Sequence, residues 1–171
     1  MATETLYVNA FSAATQNWNT HTGVSPYLQA AAGNAITAFT DHVVDNSFDF
    51  ANTEVADFAT ITSIKLKGQV AQNNVDHYAV LLLSGSSGGA WDSSVTVNDG
   101  EIGDGSWYDW ASGDIKATIS SLARINECAM SATKHNVAGA GTMSLRRVYL
   151  EITYTVAGGQ QIKTLIEEYD Y

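Results

Sequence analysis

Polar and apolar residues alternate through MSLRRVYLEITYTVA, residues 143–157: Val148, Leu150, Ile152, Tyr154 and Val156 point one way, and Tyr149, Glu151, Thr153 and Thr155 point the other. A period of two puts successive side chains on opposite faces of a pleated strand, a pattern that a helix cannot gather into one apolar stripe. TITSIKLKGQVA, residues 60–71, repeats the device, with Ile64, Leu66, Gly68 and Val70 on one face and Lys65, Lys67 and Gln69 on the other. A chain built this way must form sheets with one dry face and one wet face.

Further strands are expected at Thr5–Asn9, Val43–Phe50, Ser94–Asn98 and Arg124–Ala132. VDHYAVLLLS, residues 75–84, carries apolar residues at both parities, which predicts a central strand covered on both faces. Helical signal is confined to YLQAAAGNAITAF (27–39), interrupted by Gly33 and Asn34, and to ATISSLA (117–123). The expectation is an all-β jelly-roll β-sandwich of about eight antiparallel strands with one or two short helical turns. A chain of 171 residues can bury one sizeable core and is short for two, so a single domain is expected over 1–157.

The period changes after Gly158-Gly159. Ile162, Leu165 and Ile166 fall at helical spacing with Tyr169 and Tyr171 beyond them, so residues 158–171 read as a tail that docks on a partner or on its own sandwich.

Charge narrows the function classes. The net charge is -10 although charged residues are only 15%, because lysine and arginine are few. The eight basic residues are scattered, with one adjacent pair, Arg146 and Arg147, and no run that would grip phosphates. Direct nucleic-acid contact is therefore not expected. No segment is long and apolar enough to span a bilayer and the first twenty residues do not read as a secretory signal, so synthesis in a cytoplasm is expected. Cys128 is alone, which excludes an intrachain disulfide and a cysteine-rich metal site.

Motifs with chemical potential each meet a plainer reading. Gly85 to Gly89, GSSGG, fits Gly-x-Ser-x-Gly formally, but the strand-like AWDSSVTVN that follows predicts a hairpin loop rather than the helix a nucleophile elbow needs. His21, His42, His77 and His135 lack metal-helix spacing, and Glu54, Glu101, Glu127 and Glu151 lack the Glu-x-Asp-x-x-Glu partners of sandwich-fold glycan hydrolases. In VNDGEIGDGSWYDW, residues 97–110, Asp99, Glu101 and Asp104 supply oxygen atoms of the kind calcium takes, yet the spacing is not that of an EF-hand, and Asx-Gly pairs are what turns require. No cofactor and no metal are expected. Trp107, Tyr108 and Trp110 offer stacking area for a sugar or a protein; alternation sets Trp107 opposite to Tyr108 and Trp110, so at least one belongs to the core.

Four segments, TLYVNAFSAATQNW, ITSIKLKGQVAQNNVDHYAVLLLSG, WYDWASGDIKATISSLA and LRRVYLEITYTV, resemble a family of single-domain jelly-roll β-sandwiches found in tailed-phage virions. The correspondence covers roughly residues 5–156, in pieces, and its motifs are structural. The resemblance implies a non-enzymatic virion structural protein, a capsid decoration or cement protein whose partner is the major capsid protein or another virion protein. It also implies a homo-oligomer, expected as a trimer. The alternative is a carbohydrate-binding module or tail-fibre adhesive domain using Trp107, Tyr108 or Trp110; the third reading is a sandwich-fold hydrolase.

Overall fold

The computed structural model describes residues 1–11, 18, 20–22, 35–38, 44–56, 59–86, 89–100, 102–119, 121–136 and 140–156. These form ten strands and one short helix: β1 (Ala2–Phe11), β2 (Thr20–Thr22), β3 (Ala35–Ala38), β4 (Val44–Phe50), β5 (Ala59–Gln72), β6 (His77–Gly85), β7 (Trp91–Val97), β8 (Tyr108–Ala111), α1 (Leu122–Asn126), β9 (Ala129–Asn136) and β10 (Met143–Val156). The fold is the expected all-β, jelly-roll-like sandwich, and every strand pairing is antiparallel.

Two long strands make the seam of the first sheet. β5 and β10 pair from Met143 with Gln72 to Val156 with Ala59. β8 extends this sheet beyond β5. On the far side of β10, β1 pairs with residues 149–154, and β3, carrying β2, pairs with residues 143–145. After Tyr7, β1 leaves β10 for β4, with a register irregularity between Val8 and Ala10, and so starts a second sheet, β4-β9-β6-β7.

Alternation explains what fills the space between the sheets. Ile64, Leu66, Val70, Leu150 and Ile152 from the first sheet meet Phe48, Leu81, Leu83, Met130 and Ala132 from the second, all fully or nearly fully buried. Trp18 is buried and donates its indole N–H to the Ala132 carbonyl at 3.1 Å. Cys128 is buried as well, which pushes its thiol up to about 12.

Several expectations are corrected. Ala35–Ala38, inside the segment read as a helical turn, is a strand edge-paired to Met143–Leu145, so sheet pairing overrides alanine's helical preference there. Arg124–Asn126 belongs to α1 and not to the following strand; Ser121 caps the helix by accepting from the Arg124 amide at 3.2 Å. β6 is central, between β7 and β9, but it is buried on one face only: His77, Ala79, Leu81 and Leu83 point in, while Leu82 is 38% exposed. The tail after Val156 lies outside the described residues.

Candidate functional site

The outer face of the first sheet carries a groove of about 520 Å³ lined by Tyr7, Lys67, Gln69, Asp109, Arg147 and Tyr149, with Gly68, Trp110 and Ala111 completing it. Register explains the assembly. Tyr7 pairs with Tyr149, Tyr149 with Lys67, and Lys67 with Ala111, so one row of side chains crosses four strands. The next row is Arg146, Gln69 and Asp109. Between the rows, Gly68 opposes both Arg147 and Val148, because the register of β10 shifts between Arg146 and Tyr149. Two residues facing one is a β-bulge, a device that re-aims side chains.

The bulge contains a backbone outlier. Arg147 has φ 53°, and among the described residues it is the one non-glycine with positive φ. In this type of bulge the first residue usually is glycine, since other residues strain in the left-handed region. The bulge also inverts the parity of β10: Met143 and Leu145 are buried before it, Val148, Leu150 and Ile152 after it.

A hydrogen-bonded chain holds the groove in place. The Arg146 Nε donates to Gln69 Oε1 at 2.8 Å, and Gln69 Nε2 donates to Asp109 Oδ1 at 2.8 Å. The Arg146 guanidinium also lies 4.0 Å over the Trp107 ring. Partial burial, then the neighbouring Arg147 charge, lowers the Arg146 pKa from its ordinary value. Lys67 bonds Glu151 at 2.8 Å; that hydrogen bond raises the lysine's pKa and leaves two ammonium protons to spare. The Tyr7 and Tyr149 rings sit 5.2 Å apart at 52°.

The residues singled out in the sequence have distinct fates. Trp107 belongs to the outer face and is covered by Arg146, whereas Trp110 packs partly buried against the core beneath Gly68. A Cβ on Gly68 would stand 2.9 Å from the Trp110 ring, so glycine alone lets the indole approach. The Trp110 Nε1 is buried without a hydrogen-bond partner among the described residues. The Tyr108 hydroxyl donates to Asp104 at 2.9 Å. The same bond raises the tyrosine's pKa, and the Ser106 amide, ahead of that hydroxyl, lowers the Asp104 pKa.

Asp99 is 4% exposed and accepts the Ile102 and Gly103 amides at 3.0 and 2.7 Å, so both its oxygens close a turn. Glu101 lies outside the described residues, and among those described no cluster of three or more metal-type ligands forms. The serine-glycine stretch joins β6 to β7 as a hairpin; Ser86 Oγ and Trp91 Nε1 both donate to Glu127, at 3.1 and 2.9 Å. His77 is buried on the inner side of β6, and His135 stacks on Tyr78 at 4.9 Å, on the other side of the sheet. Ile162, Leu165, Ile166, Tyr169 and Tyr171 lie outside the described residues.

The groove residues Tyr7, Gln69, Asp109 and Arg147 were not singled out from sequence as a site. They come from four different strands, so only pairing brings them together. One local signal exists: the apolar phase slips at the adjacent pair Arg146-Arg147.

The segment WYDWASGDIKATISSLA closes the open side of β5. Past β8, the Ser112 amide donates to the Leu66 carbonyl at 2.8 Å, and Ser112 Oγ accepts the Leu66 amide at 2.9 Å. Asp114 Oδ1 accepts the Ile64 amide at 3.0 Å. Side chains thus replace the missing strand partner, and Ile119 is buried in the core.

No family model matches the chain, and no curated protein matches it in sequence. Among solved structures it is similar to the family 30 carbohydrate-binding module of a cellulosomal cellulase of Clostridium thermocellum (7% identity, TM-score 0.44, covering 93% of this chain and 100% of that one). It is also similar to a family two carbohydrate esterase from Cellvibrio japonicus (10%, 0.35, 90% of this chain and 34% of that one). A third is the VP2 subviral particle of infectious bursal disease virus (14%, 0.28, 80% of this chain and 42% of that one). The chain thus spans about a third of the esterase, and these distant likenesses carry nothing about its role.

Proposed function

We propose that this chain is a non-catalytic structural protein of a tailed-phage virion, a decoration or cement protein that lies on the capsid and stabilises the head. The observation that supports this most is where the four family-like segments fall. They contribute β1, β5, β8 and β10, consecutive neighbours across one sheet in the order β8-β5-β10-β1, and β6 of the second sheet. The resemblance therefore covers four adjacent strands of the first sheet and a central strand of the second, together with the Ser112–Asp114 closure on the open side of β5.

A non-enzymatic role agrees with the groove's contents. Among the described residues Asp109 is the single carboxylate lining it, whereas glycoside hydrolysis needs a facing pair. The proposed partner is the major capsid protein, with the chain as a homo-oligomer, proposed as a trimer, and residues 158–171 as the segment that grips the neighbour. Mass spectrometry of gradient-purified particles tests this. The expected result is the protein in amounts comparable to the head proteins, with particle retention lost when residues 158–171 are deleted. Absence from purified particles would refute the reading.

A further inference from the structure

We propose that the groove on the outer face of the first sheet binds an anionic saccharide, with Arg147 as the residue that meets the negative charge. This inference goes beyond the virion reading and does not depend on it. It begins with the bulge. Glycine would satisfy the left-handed backbone at position 147 without strain, so the arginine there is to be explained by its side chain; strain of this kind gathers at ligand sites. The guanidinium is exposed on the groove wall and has no hydrogen-bond or ion-pair partner among the described residues.

Charge gives a second, independent observation. The chain's net charge is -10, yet four of its eight basic residues, Lys65, Lys67, Arg146 and Arg147, share this sheet face with two carboxylates, Glu151 and Asp109. Lys67 is neutralised by Glu151, Arg146 is committed to Gln69 and Trp107, and Lys65 does not line the groove, which leaves Arg147 as the available cation on its wall.

The remaining lining suits a sugar. The Tyr7 and Tyr149 rings line the groove with flat apolar area, and each carries a hydroxyl. Asp109 keeps Oδ2 to accept from a sugar hydroxyl, and Lys67 keeps protons to donate. The volume of about 520 Å³ lies within the range of small-ligand sites.

Calorimetry on the full chain tests this with an oligomer of galacturonic acid, the neutral galactose oligomer, glucose 6-phosphate and a single-stranded oligonucleotide. The wild type is expected to bind at least one acidic sugar roughly tenfold more tightly than the neutral oligomer. The galacturonate and phosphate arms distinguish which anion the site takes. Arg147→Gly is expected to weaken that binding roughly tenfold while its melting temperature holds or rises, because glycine relieves the strained φ. Arg147→Lys should retain part of the affinity, and Tyr149→Ala should weaken the acidic and the neutral sugar alike. No binding of either acidic sugar, equal affinity for the neutral oligomer, tighter binding of the oligonucleotide, or an unchanged Kd in Arg147→Gly overturns the proposal.

Discussion

The two sheets share a core and differ outside it. The outer face of the β8-β5-β10-β1 sheet carries Lys65, Lys67, Arg146, Arg147, Tyr7 and Tyr149, with Lys67 paired to Glu151 and Arg146 hydrogen-bonded to Gln69. The outer face of the β4-β9-β6-β7 sheet shows Tyr78, Val80 and Leu82 among serines and threonines, with Asp49 and Asp92 but no lysine or arginine among its described outward side chains. Both faces satisfy the same rule of alternation, which asks only that the outward residues tolerate water. The difference between them lies in chemistry that folding did not demand, and that is where function is to be sought.

Substitutions that separate these roles are ranked by expected effect. Leu150→Ala, at a fully buried position in the seam, should cost about 2–5 kcal/mol in chemical denaturation, because the transfer and cavity penalties add. A cost under about 1 kcal/mol would show that β10 is not the centre of the core. Gly68→Ala should cost about 1–3 kcal/mol, since its Cβ meets the Trp110 ring at 2.9 Å and Val148 at 3.2 Å.

Asp114→Ala should cost about 1–3 kcal/mol, for it orphans the Ile64 amide on the edge of β5. The Ile64 amide, ahead of the Lys116 amide, holds the Asp114 carboxyl below its ordinary 3.8. A carboxyl whose folded value lies below its unfolded value stabilises the fold above the ordinary value, and that contribution is lost as pH falls through the folded one. Wild type and Asp114→Asn should therefore converge in stability as the pH is lowered beneath 3.8, and a gap that stays constant would remove the carboxylate from the account. Smallest is Leu82→Thr on the second outer face, expected within about 0.5 kcal/mol. A larger loss would mean that this face is covered by a partner and is not the bland one.

Much of this division was legible in the sequence. Period two in residues 60–71 and 143–157 assigned Lys65, Lys67, Gln69, Tyr149 and Glu151 to the wet side correctly, since a buried face leaves little freedom of register. Ala35–Ala38 was misread because alanine's local preference is weak beside the offer of an edge on β10. The mixed parity of β6 suggested two covered faces, whereas Val80 and Leu82 stand on an outer one. The groove was hidden for a different reason. Eight scattered basic residues look dispersed in a line, and only antiparallel pairing folds four of them onto one surface. The phase slip at Arg146-Arg147 marked the bulge but gave no sign of what it faces.

The contrast between the two outer faces is tested most directly by following backbone amide resonances of the labelled protein while the acidic sugar that binds is added. The predicted result is movement confined to Tyr7, Lys67, Gln69, Asp109, Arg147, Tyr149 and their neighbours, with β6, β7 and β9 silent. Shifts centred on Tyr78, Leu82 and His135, or none on the first sheet, would contradict it.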